Sequence, residues 1–333
     1  MDFVLCPMRN FNCNDYMDPI EIKHDGLIFY VLKDYRVISN VLMSYKYINF
    51  SGMENIMQLE NKFVIYVQSG ESLEDISKRR AIINNFHNSC ELISTALWFI
   101  RDNAITPYWT TISSTENIEP QILRRNVYYS NAVGEYDIVS FTKKELGEAM
   151  MWYGIIDKLL VKKEINSIDM PDGLLNTTKY IGENLTSFQR AYMYLVTARK
   201  TEFLPAKISS YISLLECICA VKGENTQKVS ERIAYLIGNN VEDRIRIYDD
   251  IKSIYDFRSL YVHGSQITEK KHLVLPQVCK KADEIVRNVL SKIFIEHTDL
   301  NYMTKRDKGN SNSKNSDDVD RWFNELIFRK GLS

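Results

Sequence analysis

The chain has 333 residues, 45% of them hydrophobic and 26% charged, which is ordinary globular composition and enough for one large domain or two medium ones. With 42 Lys and Arg against 43 Asp and Glu the formal charge is −1, so no global field draws the protein toward nucleic acid or an anionic membrane, and any such contact has to be local. The six cysteines (Cys6, Cys13, Cys90, Cys217, Cys219 and Cys279) make no C-x-x-C pair and no metal-ligand spacing, so they are expected as free thiols in or near a core, with no metal and no cofactor.

The opening MDFVLCPMRNFNC lacks the basic-then-apolar layout of a secretory signal, and apolar runs such as LIFYVL fall well short of the roughly 20 residues that span a membrane. A cytoplasmic location with no membrane partner is expected, and the sequons at Asn49, Asn176 and Asn184 then carry no meaning.

From the N-terminus to about residue 70, the β-rich runs GLIFYVL, YKYINF and KFVIYVQ alternate with the turn-like clusters KHDG and FSGMEN, which predicts strands of a small sheet. A helix is expected from about Leu73, because Ile76, Ile83, Phe86, Cys90, Ile93, Leu97 and Ile100 follow one another at helical steps along a single face. Residues 102–140 are mixed, with TPYWTTIS and a turn at AVGEYD. FTKKELGEAMMWYGIIDKLLVKKE then reads as a second long helix, with Thr142 as its cap and Glu145 three residues later. Beyond the PDGLL turn the chain becomes strongly helical, with helices expected near 187–202, 205–222, 226–238, 242–263 and 276–297; Pro205 and Pro276 fall near helix starts. The polar stretch KRDKGNSNSKNSDDVD, 305–320, is expected as a linker, and the amphipathic RWFNELIF after it as a piece that docks on the body or on a partner. The fold class is therefore α+β: a mixed region over 1–170, a helical bundle over 171–304, and a linker with a short helix over 305–333.

One helix carries an anomaly. The apolar stripe of 242–263 runs Ile247, Ile251, Ile254 with Tyr255, then position 258, then Val262, and position 258 is arginine. Burying a guanidinium alone costs several kcal/mol, so the position implies a carboxylate, an interface or a polar cleft. His263 lies about 140° further round the helix, at about 100° per residue. One copy cannot easily aim both groups at the same atom, whereas two copies across a two-fold axis can each donate an Arg and a His to a shared groove. Gly264 suits the left-handed position that ends a helix, leaving His263 near the negative end of the dipole. On the residues alone, Arg258 can equally be the structural partner of a buried Glu, and His263 a helix cap.

R-S-L-Y-V-H, Arg258 to His263, resembles the R-x4-6-H signature of HEPN domains. Together with ISSYISLLECICAV and SERIAYLIG upstream and the IYDFRSLYVHG close, the segment 187–297 is similar to the Apea-like HEPN group. The resemblance implies an all-helical bundle that dimerises to join two Arg/His motifs into a metal-independent endoribonuclease of toxin or anti-phage defence. RNA is then the substrate, a second copy the partner, and a phage-derived trigger or inhibitor a further one. In that scheme Arg258 contacts the scissile phosphate, His263 handles the proton, and the RNA's own 2′-OH attacks. Ser259 stands where many active members carry Asn, Asp or His. Ser265 stands where members silenced by adenylylation carry tyrosine.

Glu216 flanks the stripe Ile208, Ile212, Leu215 and Cys219 and is the expected carboxylate for Arg258, either orienting it for chemistry or only neutralising it. Tyr261 is a candidate base-stacking ring, with packing as the plainer role. Of the basic pairs Arg79-Arg80, Arg124-Arg125, Lys162-Lys163, Lys270-Lys271 and Lys280-Lys281, most are expected as solvated faces. Lys270, Lys271 and His272 are expected to meet backbone phosphates, because they lie one loop beyond His263. A zinc site from His263, His272 and Cys279 matches no usual ligand spacing. The rival to the nuclease is a HEPN-fold dimerisation or RNA-binding module, with Arg258 as structural glue.

Overall fold

The computed structural model describes residues 2–14, 20–24, 27–33, 45–57, 59, 62–69, 76–113, 120–159, 187–219, 226–262, 268–298, 300 and 314–331. It is an α+β protein in two compact units, Met1–Asn131 with Tyr136–Asp172, and Ala132–Glu135 with Gly173–Ser333.

The first unit is built on strand β1 (Asp2–Arg9), which pairs antiparallel with β5 (Val64–Ser69) on one side and with β7 (Trp109–Ser113) and the short β6 (Thr106–Pro107) on the other. With β3 (Ile20–His24), β4 (Leu27–Leu32) and β8 (Gln121–Arg124) the sheet order is β3-β4-β5-β1-β7-β8. A separate parallel pair joins β2 (Phe11–Cys13) to β9 (Val139–Phe141). Because side chains alternate across a strand, Phe3 and Leu5 enter one core with Leu32, Ile56, Leu59 and Trp109, while Val4 and Cys6 point the other way.

Helix α1 (Tyr45–Ser51) and helix α2 (Met53–Met57) cover the Trp109 side through Ile48 and Ile56. YKYINF is thus a helix where a strand is expected: Ile48 gains burial against the sheet, and Gly52, at φ +78°, turns the chain between the two helices. The Cys6 side is covered by α3 (Ile76–Ile100) and α4 (Lys143–Leu159), which pack on each other with Phe99 and Trp152 stacked at 4.4 Å. Ile83, Phe86, Cys90, Ile93 and Leu97 are all buried, as their spacing requires. Helix α4 opens with a reciprocal capping box: Thr142 N–H donates to Glu145 Oε2 at 2.8 Å and Glu145 N–H to Thr142 Oγ1 at 3.2 Å.

The second unit is helical: α5 (Ser187–Arg199), α6 (Leu204–Cys219), α7 (Thr226–Ile237), α8 (Val241–Val262), α9 (Glu269–Glu296) and α10 (Lys314–Gly331). Helix α6 is its centre, packed against α5, α7, α8 and α9. Its apolar stripe is fully buried, and its buried Lys207 donates to the Ala198 carbonyl at 2.7 Å, placing a cation at the C-terminal end of α5. The expected turn at AVGEYD is present: Gly134 has φ +82°, and a Cβ there would lie 2.6 Å from the Glu202 carbonyl oxygen.

Three expectations are corrected in this unit. Helix α9 begins at Glu269, so Pro276 lies inside it; the exposed Pro276 removes one donor on the solvent side while Leu275 and Cys279 hold the buried face. Lys314–Asp320, expected within the linker, are helical. The anchors are long-range: Val319 and Phe323 are buried, Asp320 pairs with Arg232, and Trp322 meets His297 edge-on at 5.1 Å. Val262, expected in the apolar stripe of α8, is 60% exposed, because the buried face of the helix ends at Phe257.

Candidate functional site

The site grows from two helices of the second unit. Ile247, Ile251, Ile254 and Tyr255 turn one face of α8 toward α6, and Arg258, one turn beyond Ile254, is carried to the edge of that contact. Its Nη1 donates to Glu216 Oε1 at 3.0 Å. Both side chains sit between core and solvent, 28% and 24% exposed. Glu216 lies in the last turn of α6, where a carboxylate opposes the helix dipole, so the guanidinium offsets an unfavourable placement as well as a charge.

Tyr255 completes the cluster. Its hydroxyl donates to the same Glu216 oxygen at 3.2 Å, and its ring lies 5.9 Å from the Arg258 guanidinium carbon. Burial, and then the Glu216 carboxylate, push the Tyr255 phenol well above its ordinary value, so it remains a proton donor throughout the working range. Sequence reasoning placed Tyr255 only in the core stripe; the signal for its second role is that it precedes Arg258 by three residues and shares its face. Among the described residues Nη1 is the one nitrogen of Arg258 with a hydrogen-bond partner, which leaves the rest of the fork for a ligand.

His263 lies outside the described residues, one position past Val262. Ser259 is exposed, and Tyr261, 39% exposed, packs edge-on against Phe203 at 5.4 Å, a contact the sequence did not point to. Lys270, Lys271 and His272 are all exposed in the first turn of α9. The Lys271 ammonium stands 6.0 Å from the Phe257 ring, which brings it beside the residue preceding Arg258. Cys279 is buried, its thiol pushed up to about 12 by burial, which disfavours the thiolate a zinc ligand must be.

Exposed apolar side chains stand at the end of α8, Val262 (60%), and near the start of α9, Leu273 (75%) and Val274 (48%). Chemically, the arrangement offers a pre-positioned guanidinium with free in-plane donors and an exposed cation, Lys271, beside the neighbouring Phe257. Among the described residues no group of three or more His, Cys, Asp or Glu could hold a metal ion, and no helix is long and apolar enough to cross a membrane. Comparison with protein-family models, with characterised proteins and with solved structures finds no match to this chain.

Proposed function

We propose that the protein is a metal-independent endoribonuclease of the HEPN type, whose site is made by Arg258 and His263 from two copies of the chain. The observation that carries this reading is the half-buried Arg258, held by Glu216 through one nitrogen, with its other donors open at the α8 terminus where His263 follows. In this reading one His263 takes the proton from the 2′-OH, and the oxygen attacks the adjacent phosphorus. The bond from phosphorus to the 5′-oxygen breaks, and the second His263 returns a proton to that leaving oxygen. Arg258 neutralises the charge that builds on the phosphoryl oxygens. Lys270, Lys271 and His272 hold flanking phosphates, and Val262, Leu273 and Val274 form the border along which the second copy packs.

The products are a 2′,3′-cyclic phosphate and a 5′-OH. Matched RNA and all-DNA oligonucleotides, incubated with and without EDTA and followed by end analysis, test the chemistry. RNA alone is cut, in both conditions, with those ends. Chelator-sensitive cutting, DNA cleavage or 5′-phosphate ends overturn it.

The Arg258–Glu216 pair also favours a second reading, in which the arginine only locks α8 to α6 within a non-catalytic dimerisation or RNA-binding module. The two separate cleanly. Arg258→Ala and His263→Ala that fold like the parent but lose cleavage support the enzyme; an Arg258→Ala variant that fails to fold, beside a His263→Ala variant with unchanged properties, supports the module.

A further inference from the structure

The first unit carries a second cationic site that the nuclease reading does not use. Arg9, at the end of β1, lies flat against Tyr108, its guanidinium carbon 3.4 Å from the ring centroid, and 4.8 Å from the ring of Tyr128. Cation–π contact occupies the faces of a guanidinium and leaves its N–H groups pointing outward in the plane. Those edges face a pocket lined by Tyr108, Arg124, Arg125, Asn126 and Tyr128. Among the described residues Arg9 has no carboxylate within ion-pair range.

The neighbouring arginines are positioned mainly by neutral side chains. Arg124 donates to Asn55 Oδ1 at 2.9 Å; Arg125 donates to Asn88 Oδ1 at 2.7 Å and to Asn84 Oδ1 at 3.3 Å. Side-chain amides fix a guanidinium without cancelling its charge. Among the described residues the one carboxylate in ion-pair range of these two arginines is Glu91, 3.6 Å from Arg125 and also 3.7 Å from His87 Nε2. Lys62 adds a further cation 5.3 Å from the Tyr108 centroid. Arg124 is exposed, as expected of a solvated face, and with the half-buried Arg125 it forms a wall in which cations outnumber carboxylates among the described residues. Holding like charges together this way disfavours the empty pocket and favours a compact oxyanion. Tyr128 is 46% exposed, so a flat ring has room to lie against it beside that oxyanion.

We infer that this pocket binds a nucleotide, its phosphate on the edges of Arg9 and Arg124 and its base against Tyr128. The inference stands independently of the nuclease reading, since every residue it uses lies in the first unit. The test is calorimetric titration of the full chain with the four nucleoside 5′-monophosphates, the matching nucleosides, inorganic phosphate and a short single-stranded RNA. At least one monophosphate binds with unit stoichiometry, its nucleoside does not, and raised salt weakens it. Arg9→Lys, which keeps the charge and loses the flat fork, and Tyr128→Ala, at an exposed position, each weaken it about tenfold or more. Circular dichroism and melting confirm the fold of both variants, and if Arg9→Lys unfolds, Tyr128→Ala decides. The inference is overturned if no monophosphate binds, if only the RNA does, if inorganic phosphate binds as tightly as the nucleotide, or if folded variants bind like the parent.

Discussion

Glu216 on α6 and Arg258 on α8 meet at 3.0 Å, and the carboxylate oxygen they share also accepts from Tyr255. A single acceptor atom thus fixes a guanidinium and a phenol that lie one helical turn apart. Because both ends of the ion pair are about a quarter exposed, its worth lies between that of a surface bridge and that of a buried one.

Glu216→Gln keeps the shape and an acceptor oxygen but removes the charge, leaving Arg258 partly buried without its counter-ion. The expected loss is about 1 kcal/mol of stability, together with slower RNA cleavage. Urea midpoints of Glu216→Gln, Arg258→Gln and the double variant measure the coupling. Strict additivity would show that the two residues do not act on each other.

Arg258→Lys is expected to be nearly as damaging to cleavage as Arg258→Ala. Lysine keeps a positive charge but cannot hold Glu216 with one nitrogen while presenting a planar fork to a phosphate. Single-turnover rates on one RNA substrate compare the three proteins. A lysine variant within a few-fold of the parent would reduce Arg258 to a point charge.

In the proposed dimer, Val262→Asp combined with Leu273→Asp is expected to separate the two copies and to abolish cleavage. Both positions are strongly exposed, so the change leaves the stability of the single chain within about 0.5 kcal/mol. Light scattering after size exclusion gives the mass. An unchanged mass with unchanged activity would move the dimer contact elsewhere.

Helix α10 should loosen in acid. Burial raises the Asp320 carboxyl, but hydrogen bonds from Arg232 and Lys228 outweigh it and hold the group below its ordinary value of 3.8. A depressed carboxyl stabilises the folded state above its unfolded value, and that stabilisation is lost as pH falls through the folded value. The docking of α10 is therefore unaffected between neutral pH and about 5 and weakens below about 4. Asp320→Asn reproduces the loss at neutral pH. Hydrogen-exchange protection factors across 314–331 follow both, and equal protection in the variant and the parent would show that Val319 and Phe323 suffice.

What the chain disclosed in advance depended on the range of the interaction. The stripe of α3 and the Thr142–Glu145 box are local patterns, readable because every participant lies within a turn or two. The pairing of Glu216 with Arg258 was readable for a different reason: a charge in an apolar register demands a carboxylate, and Glu216 flanks the neighbouring buried stripe. Helix α10 was not legible at its start, since Lys314–Asp320 read as linker until Arg232, far back on α7, supplies the partner. Nor was strand β1, whose DFVLCPMR is buried on both faces and so lacks the polar alternation that marks a half-buried strand. The Arg9 pocket was not legible because Arg9, Tyr108 and Tyr128 are far apart in the chain and meet only in the fold, at the end of β1, between β6 and β7, and in the segment after β8.

The position of β1 in the sheet has a consequence for the birth of the protein. Its neighbours are β5 at residues 64–69 on one side and β6 at 106–107 with β7 at 109–113 on the other, so β1 is synthesised about a hundred residues ahead of the strands that cover its second edge. Throughout that interval Phe3, Val4, Leu5 and Met8, all buried in the finished fold, remain uncovered on the nascent chain. Closing such distant pairs is slow, and an apolar strand with open edges is a template for other chains in the meantime. The second unit leans more on helices adjacent in sequence, α5 with α6 and α7 with α8, although α10 returns to α7. The first unit is thus where chaperone cover during synthesis is expected to matter most.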